Sequence, residues 1–262
     1  MAIGIPDSLT KNIQKLKKLG LLNERTLAKL YKQYIIARTT AKNSKYLLPN
    51  KARINAFKLL EINPSDIKEK TTIKLNNNND IFSVKRGEWD KKTVEFKKTT
   101  TYKSLVQHFE EGLDWKKTEI YMEVVRAIEN GETKWGCKTV EEYKQRCRNL
   151  DKLYKKIERD GFKPQKKINK DTDTIERRTS VIQANIDFFN EVRIMIGRNG
   201  ELIHDGGTHR TCIAKILGLE KIPVIISLRH SEWQEKRNKA VEKPETLYEM
   251  FRDHPDIEYL ID

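Results

Sequence analysis

Residues 192–228 constrain the fold more than any other part of the chain. Residues 192–197 alternate as a strand, Arg198-Asn199-Gly200 supplies an Asn-Gly hairpin turn, and residues 201–204 return as the second strand. The chain then passes through Asp205-Gly206-Gly207-Thr208-His209-Arg210-Thr211 into a helix over residues 212–217 that Gly218 stops, and residues 222–228 follow as a strand. A hairpin followed by a glycine turn, a helix and another strand predicts an α+β fold with helices laid on a sheet.

The glycine pair carries chemistry. Glycines adopt backbone angles closed to other residues and let a ligand approach the chain, and the first N–H groups of a helix lack intrahelical acceptors. The partial positive charge of a helix start favours an anion there. Gly206 and Gly207 therefore predict a phosphate site, with Arg210 as a guanidinium clamp, Thr208 and Thr211 as hydroxyl donors and His209 as a further contact. The structural alternatives are Asp205 as a helix cap or turn residue and His209 as a partly buried side chain that fixes the loop.

Elsewhere the chain is 37% hydrophobic and 34% charged over 262 residues, with aliphatic runs frequent enough to exclude wholesale disorder. No run of about 18 apolar residues and no secretory leader is present, so a cytoplasmic protein without a transmembrane segment is expected. Cys137, Cys147 and Cys212 are odd in number and lack zinc spacing, and they read as reduced thiols, with Cys147 and Cys212 facing the core. Residues 1–60 hold 13 Lys and Arg against Asp7 and Glu24, so most of the net charge of +14 sits there. Two amphipathic helices, one around Ile13, Leu16 and Leu19 and one after Asn23, would present that charge to nucleic acid phosphates or another anionic surface.

Past Pro49, strands are expected over residues 57–62 and 71–75 and an extended segment over 81–84 that leads into Arg86-Gly87-Glu88-Trp89-Asp90. Three helices ending at Gly112, Gly131 and Gly161 follow, the third opened by a Thr139-x-x-Glu142 capping box. Residues 163–178 read as a charged linker, residues 180–189 are ambiguous, and a terminal helix with Leu247, Met250 and Phe251 closes the chain.

The run Asp205-Gly206-Gly207-Thr208-His209-Arg210, the helix after it, Gly218-Leu219 and the strand from Ile222-Pro223-Val224 resemble the nucleotide-binding core of the ParB/sulfiredoxin superfamily. Leu59-Leu60-Glu61-Ile62-Asn63-Pro64-Ser65-Asp66-Ile67 is similar to the first strand and turn of that core. The resemblance implies a small mixed sheet with helices, and it divides the chain into a basic helical arm (1–50), a ParB/sulfiredoxin-like core (51–230) with a helical insertion at about 101–162, and a helical tail (231–262). It also implies that Gly206, Gly207, Thr208, His209, Arg210 and Thr211 hold the phosphates of ATP or ADP, with CTP as an alternative. Thr208 stands where sulfiredoxins carry their reactive cysteine, which argues against that chemistry.

Asp205 to Arg210 looks closest to the free-serine-kinase branch, which implies a kinase acting on a small or carrier-linked substrate that bears a hydroxyl. Phosphoryl transfer needs charge neutralisation and a proton acceptor. Asp205 would be a carboxylate ligand to a Mg2+ that bridges the phosphates, and Asp205, His209, Glu88 and Asp90 are the catalytic candidates, with Glu61 and Glu69 as rival carboxylates. The alternative is a non-enzymatic, nucleotide-dependent DNA-binding protein that uses the basic arm.

Overall fold

Nine consecutive residues of the strand Ile222–His230 are all buried, and the sheet is built around them. The computed structural model describes residues 24–46, 48, 51–75, 80–164, 191–243, 251, 253–258 and 260. Seven strands form one mixed sheet: β1 (Leu59–Ile62), β2 (Glu69–Thr71), β3 (Ser83–Lys85), β4 (Thr93–Glu95), β5 (Val192–Ile196), β6 (Leu202–Gly206) and β7 (Ile222–His230). Their order is β1-β7-β5-β6-β2-β4, with β3 also paired to β7. One edge of β7 is thus shared, its first half pairing antiparallel with β1 and its last three residues parallel with β3.

The expected hairpin forms, with β5 and β6 antiparallel across the Asn-Gly turn. Between β5 and β7 the register slips by one, so that Ile194 opposes Ile226 and Met195 opposes Leu228. The extra residue, Ser227, donates its hydroxyl to the Ile194 carbonyl at 3.0 Å. Because side chains alternate along a strand, this bulge turns Leu228 away from the helices, to pack with Met195, Ile203 and Trp89 on the opposite face.

The helices are α1 (Glu24–Lys42), α2 (Thr100–Phe109), α3 (Glu119–Glu129), α4 (Val140–Asp160), α5 (Thr208–Ile216), α6 (Ser231–Glu242) and α7 (Pro255–Glu258). Threonine hydroxyls cap α2, α3 and α4 by accepting from the amides of Tyr102, Tyr121 and Glu142. At the α4 cap the reciprocal bond shifts by one residue, with the Glu142 carboxylate accepting from the Lys138 amide at 2.8 Å. Leu105 of α2, Val124 of α3 and Leu150 of α4 join one cluster with Ile213 of α5 and Ile194 and Val224 of the sheet. The inserted helices therefore share the core of the sheet instead of forming a core of their own. Cys137, Cys147 and Cys212 are all buried thiols.

Several boundaries differ from expectation. β1 begins two residues later than expected, and β2 covers residues 69–71 instead of 71–75, its paired register with β4 ending at Thr71 opposite Thr93. β6 extends through Asp205 and Gly206, and α5 starts at Thr208. Arg229 and His230 are buried where α6 and the C-terminal segment close over the end of β7. The expected helix around Ile13, residues 165–190 of the linker and ambiguous stretch, and residues 244–250 with Leu247 and Met250 lie outside the described residues. Among the described residues no helix is long and apolar enough to cross a membrane.

Asp256 closes the C-terminal end. Its carboxylate accepts from Arg229 Nη2 at 2.6 Å and from Trp233 Nε1 at 2.9 Å, and it lies 3.1 Å from Arg237 Nε. Burial alone would raise this carboxyl, but the two guanidiniums outweigh it and hold it at about 2. Removing one partner of a buried ion cluster leaves unpaired charge in the core, at a cost of roughly 3–5 kcal/mol. Asp256→Ala is therefore expected to lower stability by about that amount in urea unfolding, and a change below about 1 kcal/mol would contradict the role of this cluster.

Candidate functional site

β6 enters α5 through Gly207 alone, so the expected loop is shorter than its sequence suggests. Gly207 has φ +80°, and a Cβ on it would lie 3.0 Å from Val192 Cα and 3.2 Å from Val192 Cγ2. Both the backbone angle and the close approach of β5 exclude a side chain there. Gly207 is also the N-cap of α5 and provides no capping side chain to the first-turn amides. The positive end of α5 thus opens at the carboxyl end of β6.

Arg193 stands over this junction. A Cβ on Gly206 would meet Arg193 Nη2 at 2.6 Å, so the guanidinium lies directly on the glycine. Arg193 Nε donates to Asp205 Oδ2 at 3.0 Å. A guanidinium and a helix N-terminus lie side by side, and the single carboxylate of the loop already has a cationic partner.

The remaining predicted residues divide. Thr208 and His209 occupy the first turn of α5. Thr211 is buried, and its hydroxyl donates back to the Gly207 carbonyl at 3.2 Å, so it fastens the helix start and is not a ligand donor. Arg210 is turned inward: Nη1 meets Glu191 at 3.3 Å, Nη2 donates to the Lys163 carbonyl at 2.7 Å, and the guanidinium covers the Phe162 ring at 4.2 Å. It ties the end of α4 to the start of β5, a corrected role for the expected phosphate clamp.

Glu88 and Asp90 do not reach the site. Both bind Arg198 in the β5–β6 turn, Asp90 at 2.8 Å and Glu88 at 3.0 Å. Gly206 is at the other end of β6, and at about 3.4 Å per residue the strand separates the two by roughly 15 Å. Burial tends to raise the Asp90 carboxyl, but bonds from the Arg198 side chain and backbone hold it at about 2, a poor proton acceptor. These carboxylates fix the hairpin turn to the loop after β3. Of the rival carboxylates, Glu61 is exposed on β1 and Glu69 pairs with Ile203 and Glu95 in the sheet.

The structure adds residues that the sequence pattern does not single out. Arg193 is one, detectable as a lone charge in the strand Val-Arg-Ile-Met-Ile. His204 is another: it is fully buried, it packs edge-on to Phe96 with centroids 5.0 Å apart, and neither ring nitrogen has a hydrogen-bond partner of normal geometry. Burial, reinforced by Lys70, Arg193 and Lys215, lowers its pKa to about 3. Burial, with Arg146 and Lys70, likewise lowers His209 to about 3, and burial pushes the Cys212 thiol up to about 12. Both histidines are neutral near pH 7, and Cys212 is not a thiolate. Among the described residues no group of three or more His, Cys, Asp and Glu side chains is placed to hold a metal.

The chain matches no family model, no curated protein and no solved structure.

The buried histidines make stability depend on pH. The unfolded chain binds a proton at each histidine near the ordinary value of 6.5, whereas the folded chain resists it down to about 3. The unfolded state therefore gains protons first, and stability falls as pH drops below about 6.5. The thermal midpoint of the wild type is expected to fall between pH 7 and pH 4.5, and His204→Leu should flatten that slope. An equal slope in the two proteins would show that His204 takes up its proton in the folded state.

Proposed function

We propose that the chain is a nucleotide-dependent phosphotransferase with a ParB/sulfiredoxin-like core, transferring a phosphoryl group to a hydroxyl of a small or carrier-linked substrate. One observation carries this: the α5 N-terminus opens at Gly207 without a capping side chain, with the Arg193 guanidinium lying on the adjacent Gly206. Backbone N–H groups and a guanidinium are the two donor types that grip phosphate oxygens most effectively. Arg193 takes the place that the sequence suggests for Arg210, and Thr208 and His209 complete the first turn.

Asp205 is the one expected catalytic carboxylate that lies at this junction. Phosphoryl transfer passes through a loose transition state, so positioning and charge neutralisation matter more than a strong base. Asp205, oriented by Arg193, would align the attacking hydroxyl and accept its proton late. A magnesium ion fits this site as a companion of the nucleotide, because phosphates and water supply most of its ligands and a single carboxylate oxygen of Asp205 suffices.

The distance of Glu88 and Asp90 from the loop favours a second reading, a non-enzymatic nucleotide switch that associates with DNA. Exposed Lys32, Lys42 and Lys45 on and just after α1, beside exposed Leu30 and Tyr34, would supply the basic surface.

Incubation with labelled ATP and a panel of hydroxyl-bearing metabolites separates the two. Asp205→Asn is expected to lower transfer about a hundredfold, and Gly207→Val to abolish nucleotide binding. Equal transfer in the wild type and both variants would reject the site. Nucleotide binding without transfer, together with salt-sensitive DNA binding lost on removal of residues 1–50, would favour the switch.

A further inference from the structure

α1 is uncharged on the face that it turns away from the body. Ile35, Thr39 and Asn43 are buried on one side of the helix. That side meets the body, where the Asn43 side chain donates to the Phe82 carbonyl at 2.9 Å and Lys32 Nζ lies 5.2 Å from the Phe57 ring centre. At about 3.6 residues per turn, Leu30, Tyr34, Ala37 and Ala41 fall roughly half a turn away. All four are exposed, and Gln33 and Thr40, also exposed, complete a face without a charge. Arg38 and Lys42 run along one flank of it.

A surface helix ordinarily puts its charged residues opposite its buried stripe. α1 does the reverse. Among the described residues seven large hydrophobic side chains stand exposed, and four of them, Leu30, Tyr34, Ile36 and Leu48, lie on α1 or just after it. Residues 24–46 also hold six Lys and Arg against Glu24 alone. Exposed apolar groups and positive charge are therefore concentrated in one segment, and a partner for it must satisfy both.

A nucleic acid backbone takes up the cations and gives Leu30 nothing. A second copy of the chain offers an apolar stripe but brings six like charges with it. An anionic bilayer offers an apolar phase beneath a layer of negative headgroups, and so matches both features. We propose that the outward face of α1 rests on an anionic lipid surface, with Leu30 and Tyr34 entering the boundary between headgroups and acyl chains. Tyrosine suits that boundary because its ring is apolar and its hydroxyl stays wet. Ala37 and Ala41 let the helix lie close to the surface, while Arg38 and Lys42 extend from the flank to the lipid phosphates. The attachment is shallow and reversible, since few large apolar side chains enter the lipid. It does not depend on the phosphate grip at Gly207, and it gives the basic segment a task of its own: holding the protein at a membrane.

Co-sedimentation of the full chain with vesicles of phosphatidylcholine, alone or with about one third phosphatidylglycerol, tests this. The wild type should partition onto the anionic vesicles about tenfold or more over the neutral ones, and high salt should weaken that preference. Leu30→Ser and Ala37→Glu should each lower partitioning about tenfold. Met122→Ser, which removes an exposed apolar side chain on α3, should leave it within about twofold. Failure of the wild type to bind the anionic vesicles overturns the proposal. Binding that Leu30→Ser leaves intact overturns it too, because charge alone would then hold the chain, and an equal loss in Met122→Ser would place the contact away from α1. Duplex DNA bound more tightly than the anionic vesicles, with no loss in Leu30→Ser, would assign the surface to nucleic acid. A dimer in sedimentation velocity that Ala37→Glu dissociates would assign it to a second copy, and either result overturns the lipid contact.

Discussion

Val192 approaches Gly207 so closely that no side chain fits between the start of β5 and the start of α5. That contact fixes where the hairpin ends, how α5 leaves it and which way the helix N-terminus faces. Arg193 follows directly in β5, so the same approach places its guanidinium on Gly206. The site is thus a consequence of how one strand pair feeds one helix, and the rest of the fold serves to keep that junction in register. The Ser227 bulge and the buried β7 supply the rigid floor.

Charge is distributed differently at the two ends of the sheet. Where β7 ends, each buried cation has an acid: Arg198 has Asp90 and Glu88, and Arg229 and Arg237 have Asp256. These clusters hold the C-terminal segment and the loop after β3. At the Gly207 end, Arg193 and Arg210 are matched by Asp205 and Glu191, yet Lys70 and Arg146 make no ion pair among the described residues.

Much of this was legible in the sequence where a local rule governs. The Asn-Gly hairpin, the Thr139 cap of α4 and the strand at Ile222 follow from turn chemistry and periodicity, and each lies where the pattern places it. The glycine pair marked the junction correctly. What the sequence did not reveal depends on distant pairing. Arg210 looks like a ligand in a linear reading, but Glu191 and Phe162 draw it inward. Glu88 and Asp90 flank a tryptophan just after an extended segment, but β3 runs parallel to β7 and carries them to the far end of the sheet. Trp135 reaches His209 only because the inserted helices pack on α5, which no spacing in the chain announces.

The central claim is that the amides at the start of α5 grip a polyphosphate. Backbone amide shifts of the 15N-labelled protein titrated with ATP test it most directly. The account predicts large, saturable changes at Gly207, Thr208 and His209, with much smaller changes around Arg198 at the opposite end of β6. Shifts confined to α1, or no saturable change at those three amides, would contradict it.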